Sequence, residues 1–345
     1  MIEESIAARV FPCASIAVTR SGRLVANKAF GKFTFEPSSP SATSDTIFDL
    51  ASVSKIVATT TAAMILYERG QLDLEAPVSA ILPEFLRDDP RREDVTLHML
   101  LAHSSGLPSY EKLFQENRMP QELLQAALAT PLSEEPGTVA AYSDIGFIIL
   151  GKALMRLADE PLDRFCQYEI FGPLGMSQTM FNPPLSIRSL IPPTVNDESF
   201  RHRVVQGEVH DENASVLGGV AGHAGVFATA RDVATFAHIM LNGGRPLLRP
   251  ETVSLFTRRE TTPEGTSRGL GWDTPSAPSQ AGRLFSAGSF GHLGYTGTSL
   301  WIDPAREVSV TLLTNRTWPD NRNQAIKEVR PRFHDAVMEA LEGKI

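Results

Sequence analysis

ASVSKIVATTTAAMILYERG (residues 51–70) reads as a buried helix with one charge out of place. Between Leu50 and Tyr67 the only charged side chain is Lys55, and Ser52 stands three positions before it. Residues i and i+3 of a helix share a face, with β-carbons about 5–6 Å apart. An ammonium in apolar surroundings is desolvated, which lowers its pKa and lets it act as a base. Lys55 could then take the proton of Ser52, while the N-terminal end of the helix favours an oxyanion at the serine. S-x-x-K alone is a weak pattern, since a chain of this length holds about one by chance. On these residues alone, an ordinary helix lysine beside a serine is an equal reading.

Outward from this segment the chain divides by pattern. Residues 14–31, ASIAVTRSGRLVANKAFG, are two short apolar runs about Ser21-Gly22, a β-hairpin signal. From Leu72 to about Phe200 the pattern is helical and loop-rich. It includes TLHMLLAHSSGLP with Thr96 as a cap, MPQELLQAALAT, DIGFIILGKALMRLADEP and LDRFCQYEIFGPLGM. Residues 183–216, rich in Pro, Asn, Asp and Glu, read as an extended loop. Then come a helix capped by Thr229, two strands in GTSLWIDP and EVSVTLLTN, and a closing helix over 323–342. Strands at both ends with helices between predict a split α/β domain, residues 1–51 and 215–345. A mostly helical domain, 52–214, is inserted, with the functional cleft at the seam.

Composition narrows the function classes. The 345 residues are 42% hydrophobic and carry a net charge of −8, so no basic surface points to nucleic acid or an anionic membrane. No window holds the roughly 18 apolar residues of a membrane span. The first twenty residues, with two early acids, do not read as a secretory signal. The expectation is a soluble, cytoplasmic protein, although a chain trimmed of its leader would read the same. Cys13 and Cys166 form no CxxC or metal-type spacing and read as two buried thiols.

Other motifs compete with Ser52. Ser109–Lys112 repeats the S-x-x-K spacing, but in a polar, Pro-flanked loop with Glu111 beside the lysine, where nothing desolvates it. Gly265-Thr266-Ser267-Arg268-Gly269 has the G-x-S-x-G form without the strand before and helix after that it requires. Tyr142-Ser143-Asp144 precedes a helix. A phenol beside a lysine is depressed toward phenolate and serves as a base or relay, yet a packed tyrosine and a helix-capping aspartate fit as well. His292-Leu293-Gly294 leads into an inner strand whose edge can supply an oxyanion N–H, or is a glycine-rich turn. His210, Asp211, Glu212, Asn213 and His223 are dense in metal-ligand types, but lack an H-x-x-x-H helix and sit among glycines. They read as a cleft-lining loop that contacts substrate or fixes His223 near the serine. His98, His103, His238 and His334 fall on predicted helices and read as packing or surface residues, and Trp272 and Trp301 as core or cleft-wall aromatics.

Ser-x-x-Lys, Tyr-x-Asp and His-x-Gly in this order resemble the penicillin-recognising serine hydrolases: class C β-lactamases, DD-peptidases and related esterases. The blocks FDLASVSKIVATTTAAMILYERGQLDLEAPVSAILPEF, TLHMLLAHSSGLP, YSDIGFIILG, GVAGHAGVFATARDVATFAHIML and HLGYTGTSLWIDP resemble that superfamily over roughly residues 10–320. The resemblance implies an antiparallel sheet flanked by helices and built from both chain ends. It implies Ser52 as acyl-forming nucleophile, Lys55 as its base and Tyr142 as relay. The N–H groups of Ser52 and Tyr295 would form the oxyanion hole, with Asp144, His292, Gly294 and His223 against the substrate. No metal or organic cofactor is expected. Two positions depart from the pattern: Asp144 replaces the usual asparagine, and His292 stands where many β-lactamases and peptidases have lysine. Loss of that lysine favours ester or other acyl substrates over β-lactams. The expected function is an esterase-like or β-lactamase-related serine acyl-hydrolase acting on a small ester, β-lactam or peptide. A D-amino-acid peptidase or amidase, a penicillin-binding-like sensor that acylates without turnover, and a metal hydrolase centred on His210, Asp211 and His223 are the alternatives.

Overall fold

The computed structural model describes residues 1–343, so the last two positions of the expected 215–345 segment lie outside it. In chain order the principal elements are α1 (Ile2–Ala7), β1 (Cys13–Arg20), β2 (Arg23–Gly31), β3 (Phe48–Asp49), α2 (Thr61–Glu68), α3 (Leu97–Leu101), α4 (Pro120–Ala129), α5 (Asp144–Ala158) and α6 (Leu162–Cys166). They continue with β4 (Met180–Phe181), β5 (Val226–Ala228), α7 (Ala230–Leu241), α8 (Pro250–Thr257), β6 (Phe290–Leu293), β7 (Ser299–Asp303), β8 (Val308–Thr314) and α9 (Ile326–Leu341).

The main sheet has the order β2-β1-β8-β7-β6 and is antiparallel throughout, so the two ends of the chain meet at its centre. β1 and β8 pair in the register Ile16↔Leu312 and Val18↔Val310. The hairpin turns at Ser21 and Gly22, both at positive φ, which matches the twist that two-residue hairpins need. The period-two pattern sends Ala14, Ile16, Val18, Trp301, Val310 and Leu312 to one face, where they pack with α1 and α9. Ala17, Leu300, Ile302 and Leu313 face the other way, into the large core that also takes in α2, α5 and α7. A second, three-stranded sheet, β3-β5-β4, ties the segment before Ser52 to the glycine-rich loop at 218–225.

Two expectations change. Residues 51–68 are not one α-helix but a 3-10 turn (Ala51–Val53), a π-helical stretch (Lys55–Thr60) and then α2. The threonines explain the widening: Thr61 Oγ1 donates to the Ile56 carbonyl at 2.7 Å, and Thr59 Oγ1 to Gly222 O at 2.7 Å. Residues 183–216 are not an open loop. They hold a ribbon of Val195–Asp197 against Arg203–Val205 and single helical turns at Leu185–Arg188 and Glu212–Val216. Asp197 organises that ribbon by accepting the N–H groups of Ser199, Phe200 and Arg201. Side chains bonding their own backbone leave no hydrophobic period to read. α1 and α8 are additional elements for which the sequence raised no expectation. The Thr96 and Thr229 caps, by contrast, are as expected.

Candidate active site

The turn that carries Ser52 is locked from several sides. Ala51 sits at φ 48°, a left-handed conformation that a non-glycine residue keeps only where its surroundings enforce it. The Asp49 carboxylate accepts the Ala51 N–H at 2.8 Å and the His210 N–H at 2.7 Å. Thr296 Oγ1 donates to Asp49 O and Thr298 Oγ1 to Leu50 O, each at 2.8 Å. Gly294 has no room for a β-carbon, which would meet Thr298 Oγ1 and the Leu50 carbonyl. The backbone leading from β6 into Tyr295 is thereby laced to the Ser52 turn. Arg330 of α9 donates to the carbonyls of Gly294 and Thr298 and fixes the far side of this loop.

Lys55 is fully buried, and its ammonium has three acceptors for three protons. These are Ser52 Oγ at 3.1 Å, Asp144 Oδ1 at 2.6 Å and His223 O at 2.9 Å. Burial draws the ammonium below its ordinary value, and the Asp144 carboxylate opposes that shift without cancelling it. Asp144 is the first residue of α5. Ser143, not Asp144, caps that helix by accepting the Gly146 N–H, so the aspartate is free to reach the lysine.

Tyr142 closes the constellation. Its hydroxyl is 2.7 Å from Ser52 Oγ and 3.0 Å from Asp144 Oδ1. The expected depression toward phenolate is not found. Burial, followed by the Asp144 carboxylate, pushes the phenol well above its ordinary value. The lysine that was to stabilise a phenolate has its charge answered by Asp144 instead. Tyr142 therefore keeps its proton, and that single proton can serve Ser52 or Asp144 but not both at once.

His292 lies on β6, buried, with its ring 6.0 Å from that of Tyr142. Its Nδ1 is 2.7 Å from the Leu293 carbonyl, so that nitrogen carries the proton and Nε2 is left as a bare acceptor. Burial and the nearby Lys55 hold the imidazole neutral, so no cation stands at this position. Tyr295, half exposed, packs its ring 4.4 Å from the Arg316 guanidinium and 5.5 Å from His210.

His223 contributes through its backbone. Its carbonyl receives Lys55, while its buried ring is pinned by Nε2 at 2.8 Å from Asp211 Oδ1. Burial alone would raise Asp211, but the His223 imidazole and the Ala214 N–H outweigh it and hold the carboxyl at about 2. The metal-ligand types of this loop are spent on separate bonds. Asp211 takes His223, Asn213 bridges Glu111 O and Phe114 N–H, and His210 lies against Tyr295. Among the described residues no three His, Cys, Asp or Glu side chains converge as a metal site.

The competing motifs are set apart. Ser109 and Lys112 are exposed, and Ser267 stands in no strand-to-helix turn. Both cysteines are free and buried, and Trp272 and Trp301 are core residues. Two neighbours of Tyr142 escaped the sequence reading. Arg268, inside the discarded G-x-S-x-G stretch, lies 5.4 Å from the Tyr142 ring and pairs with Asp273. His103, expected on a helix, sits just beyond α3 at φ 56° with its ring tilted against the phenol, centroids 4.8 Å apart. A histidine at the end of an apolar helix offered no chemical pattern to flag it. No described helix is long and apolar enough to cross a membrane.

A family model described as Beta-lactamase matches residues 1–330. A Salmonella agona protein named "Putative D-alanyl-D-alanine carboxypeptidase" is 32% identical over 348 residues, 89% of this chain and 79% of that protein. Among solved structures, a mutant simvastatin synthase from Aspergillus terreus superposes with a TM-score of 0.78 at 22% identity, over 99% of this chain and 94% of that one. A hydrolase with promiscuous acyltransferase activity gives 0.73 at 23% identity, over 96% of each chain. These two likenesses show a common fold. The match that runs from residue 1 to residue 330, and a relative nearly a third identical, settle the affiliation: the chain belongs to the β-lactamase family of serine hydrolases.

Proposed function

We propose that this hydrolase acts through a covalent acyl-enzyme on Ser52 and that carboxylic esters are its preferred substrates. The observation that carries the reading is the placing of Ser52 Oγ, 3.1 Å from a buried lysine and 2.7 Å from a tyrosine hydroxyl. In the neutral form of Lys55, which burial favours, Asp144 and the His223 carbonyl keep the two remaining N–H groups and the lone pair faces Ser52, so the amine takes the serine proton as Oγ attacks the acyl carbon. The carbonyl electrons move onto oxygen, which the N–H groups of Ser52 and Tyr295 receive. The proton passes through the Tyr142 hydroxyl to the leaving alkoxide, the C–O bond breaks, and an ester to Ser52 remains. In deacylation the same groups take a proton from water as its oxygen attacks the acyl carbon; the bond to Oγ then breaks, Ser52 recovers the proton and the carboxylic acid leaves. Asp144, His292, Gly294 and His223 shape the cleft around these atoms. In the proposed division into a split domain (1–51, 215–345) and a helical insertion (52–214), Ser52, Lys55 and Tyr142 belong to the insertion, and the Tyr295 N–H, His223, His292 and Gly294 to the split domain.

Esters are favoured because His292 is neutral and offers a bare acceptor nitrogen, so a substrate carboxylate finds no cation at that position. A second reading, a peptidase for peptides ending in a D-amino acid, is favoured by the name of the 32%-identical relative and by Arg268 beside Tyr142. A panel of p-nitrophenyl esters, a chromogenic cephalosporin and D-Ala-D-Ala peptides, run with wild type and Ser52→Ala, separates these. Ester turnover lost in Ser52→Ala is the expected result. Peptide release faster than ester turnover selects the second reading, and turnover that survives Ser52→Ala overturns both. Acylation of Ser52 without turnover would identify a sensor.

A further inference from the structure

We infer that His103 is the positioning residue of Tyr142, which deepens the reading above and rests on Tyr142 as the proton relay. His103 bonds the backbone on both sides of the tyrosine. Its carbonyl accepts the Ala141 N–H at 2.8 Å, and its Nδ1 accepts the Ser143 N–H at 3.0 Å. Its ring then fills the space beneath the phenol, 4.8 Å from Tyr142 on one side and 4.9 Å from Phe147 of α5 on the other. The rest of the 103–109 loop completes the cradle: Ser143 Oγ donates to Pro108 O at 2.6 Å, and the Asp144 N–H to Ser109 O at 2.9 Å. Height, tilt and backbone register of the hydroxyl over Ser52 are set from this one loop.

Three demands meet in this side chain. The backbone is at φ 56°, which few residues other than glycine, asparagine, aspartate and histidine enter readily. The Ser143 N–H needs a lone pair, so Nδ1 must be unprotonated, and burial with the nearby Arg268, Lys55 and His292 keeps the ring neutral. The Tyr142 and Phe147 rings need a flat partner between them.

The test is a double-mutant cycle with p-nitrophenyl butyrate. His103→Phe keeps a flat ring but loses the acceptor, and His103→Gly loses both while accepting the backbone angle. Whichever melts cooperatively is combined with Tyr142→Phe. His103→Asn, which tolerates the angle and offers an amide oxygen to Ser143, is the conservative control and is expected to fold. The acceptor-less variant should lower kcat by roughly tenfold to a hundredfold, as misplacement of a reacting group does, with KM within about twofold of wild type. His103→Asn should recover most of that loss, and in the Tyr142→Phe background the His103 change should cost nothing further. Equal loss in both backgrounds, or wild-type kcat in a folded acceptor-less variant, would overturn the inference. If Tyr142→Phe itself kept wild-type kcat, the relay reading would fall first, and the inference with it.

Discussion

Asp144 is the residue at which this chain departs most from the pattern it resembles, and its consequences can be stated with signs. It bonds Lys55 at 2.6 Å and Tyr142 at 3.0 Å, and raises the pKa of both. In Asp144→Asn the one carboxylate that raises both groups is gone, so lysine and phenol each lose their protons at lower pH. If the neutral lysine and the protonated phenol are the active forms, both limbs of the kcat/KM profile should move to lower pH together. A profile that stays in place, or moves toward alkali, would separate Asp144 from both groups. Asp211 makes a different prediction. Its folded value of about 2 lies below the ordinary 3.8, so its contribution is present above 3.8 and is lost as pH falls through 2. Asp211→Asn should therefore lower stability by about 2 kcal/mol at pH 7, with the difference from wild type shrinking below pH 4 in urea titrations.

At the scale of elements, the lysine pocket depends on how closely three segments approach. Gly222 lies against Gly151 of α5, where a β-carbon would strike the Phe147 carbonyl, and its own carbonyl receives Thr59 from the π-helical stretch. Gly222→Ala should push this wall away from α5, lower stability by about 1–3 kcal/mol and reduce kcat by moving the His223 carbonyl off Lys55. Gly288→Ala, where nothing lies within 4 Å, is the control expected to leave the melting temperature unchanged. What sequence could show at this scale follows from which signals are local. Ser21-Gly22, Thr96 and Thr229 announce themselves through turn and cap chemistry and were readable. The π widening was not, because one of the two threonine bonds at it runs to Gly222, 163 positions away. Tyr142 was readable as a candidate since a tyrosine before a helix carries chemistry, but the rise of its pKa was not. That depends first on how completely the folded chain buries the phenol, and then on Asp144 turning toward the lysine rather than capping α5.

Taken whole, the molecule holds its site at a junction that neither end of the chain can build alone. β1 is an inner strand of the sheet, between β2 and β8, and both its faces are buried. Deleting residues 1–31 should expose β8 as an apolar edge and give insoluble protein, as seen by the soluble fraction after expression. A soluble, cooperatively melting deletion variant would contradict this place for β1. The same architecture explains why the fold was legible before any contact was known. Strands at both ends with helices between leave few ways to close one sheet. His103 and Arg268 were not legible, because loops distant in sequence bring them to Tyr142. The central claim is that Ser52 becomes acylated, and mass spectrometry of enzyme quenched during turnover of a slow p-nitrophenyl ester tests it most directly. The account predicts an added mass equal to the acyl group, mapped to the peptide containing Ser52 and absent from Ser52→Ala. An adduct on any other residue, or undiminished ester hydrolysis by Ser52→Ala, would contradict it.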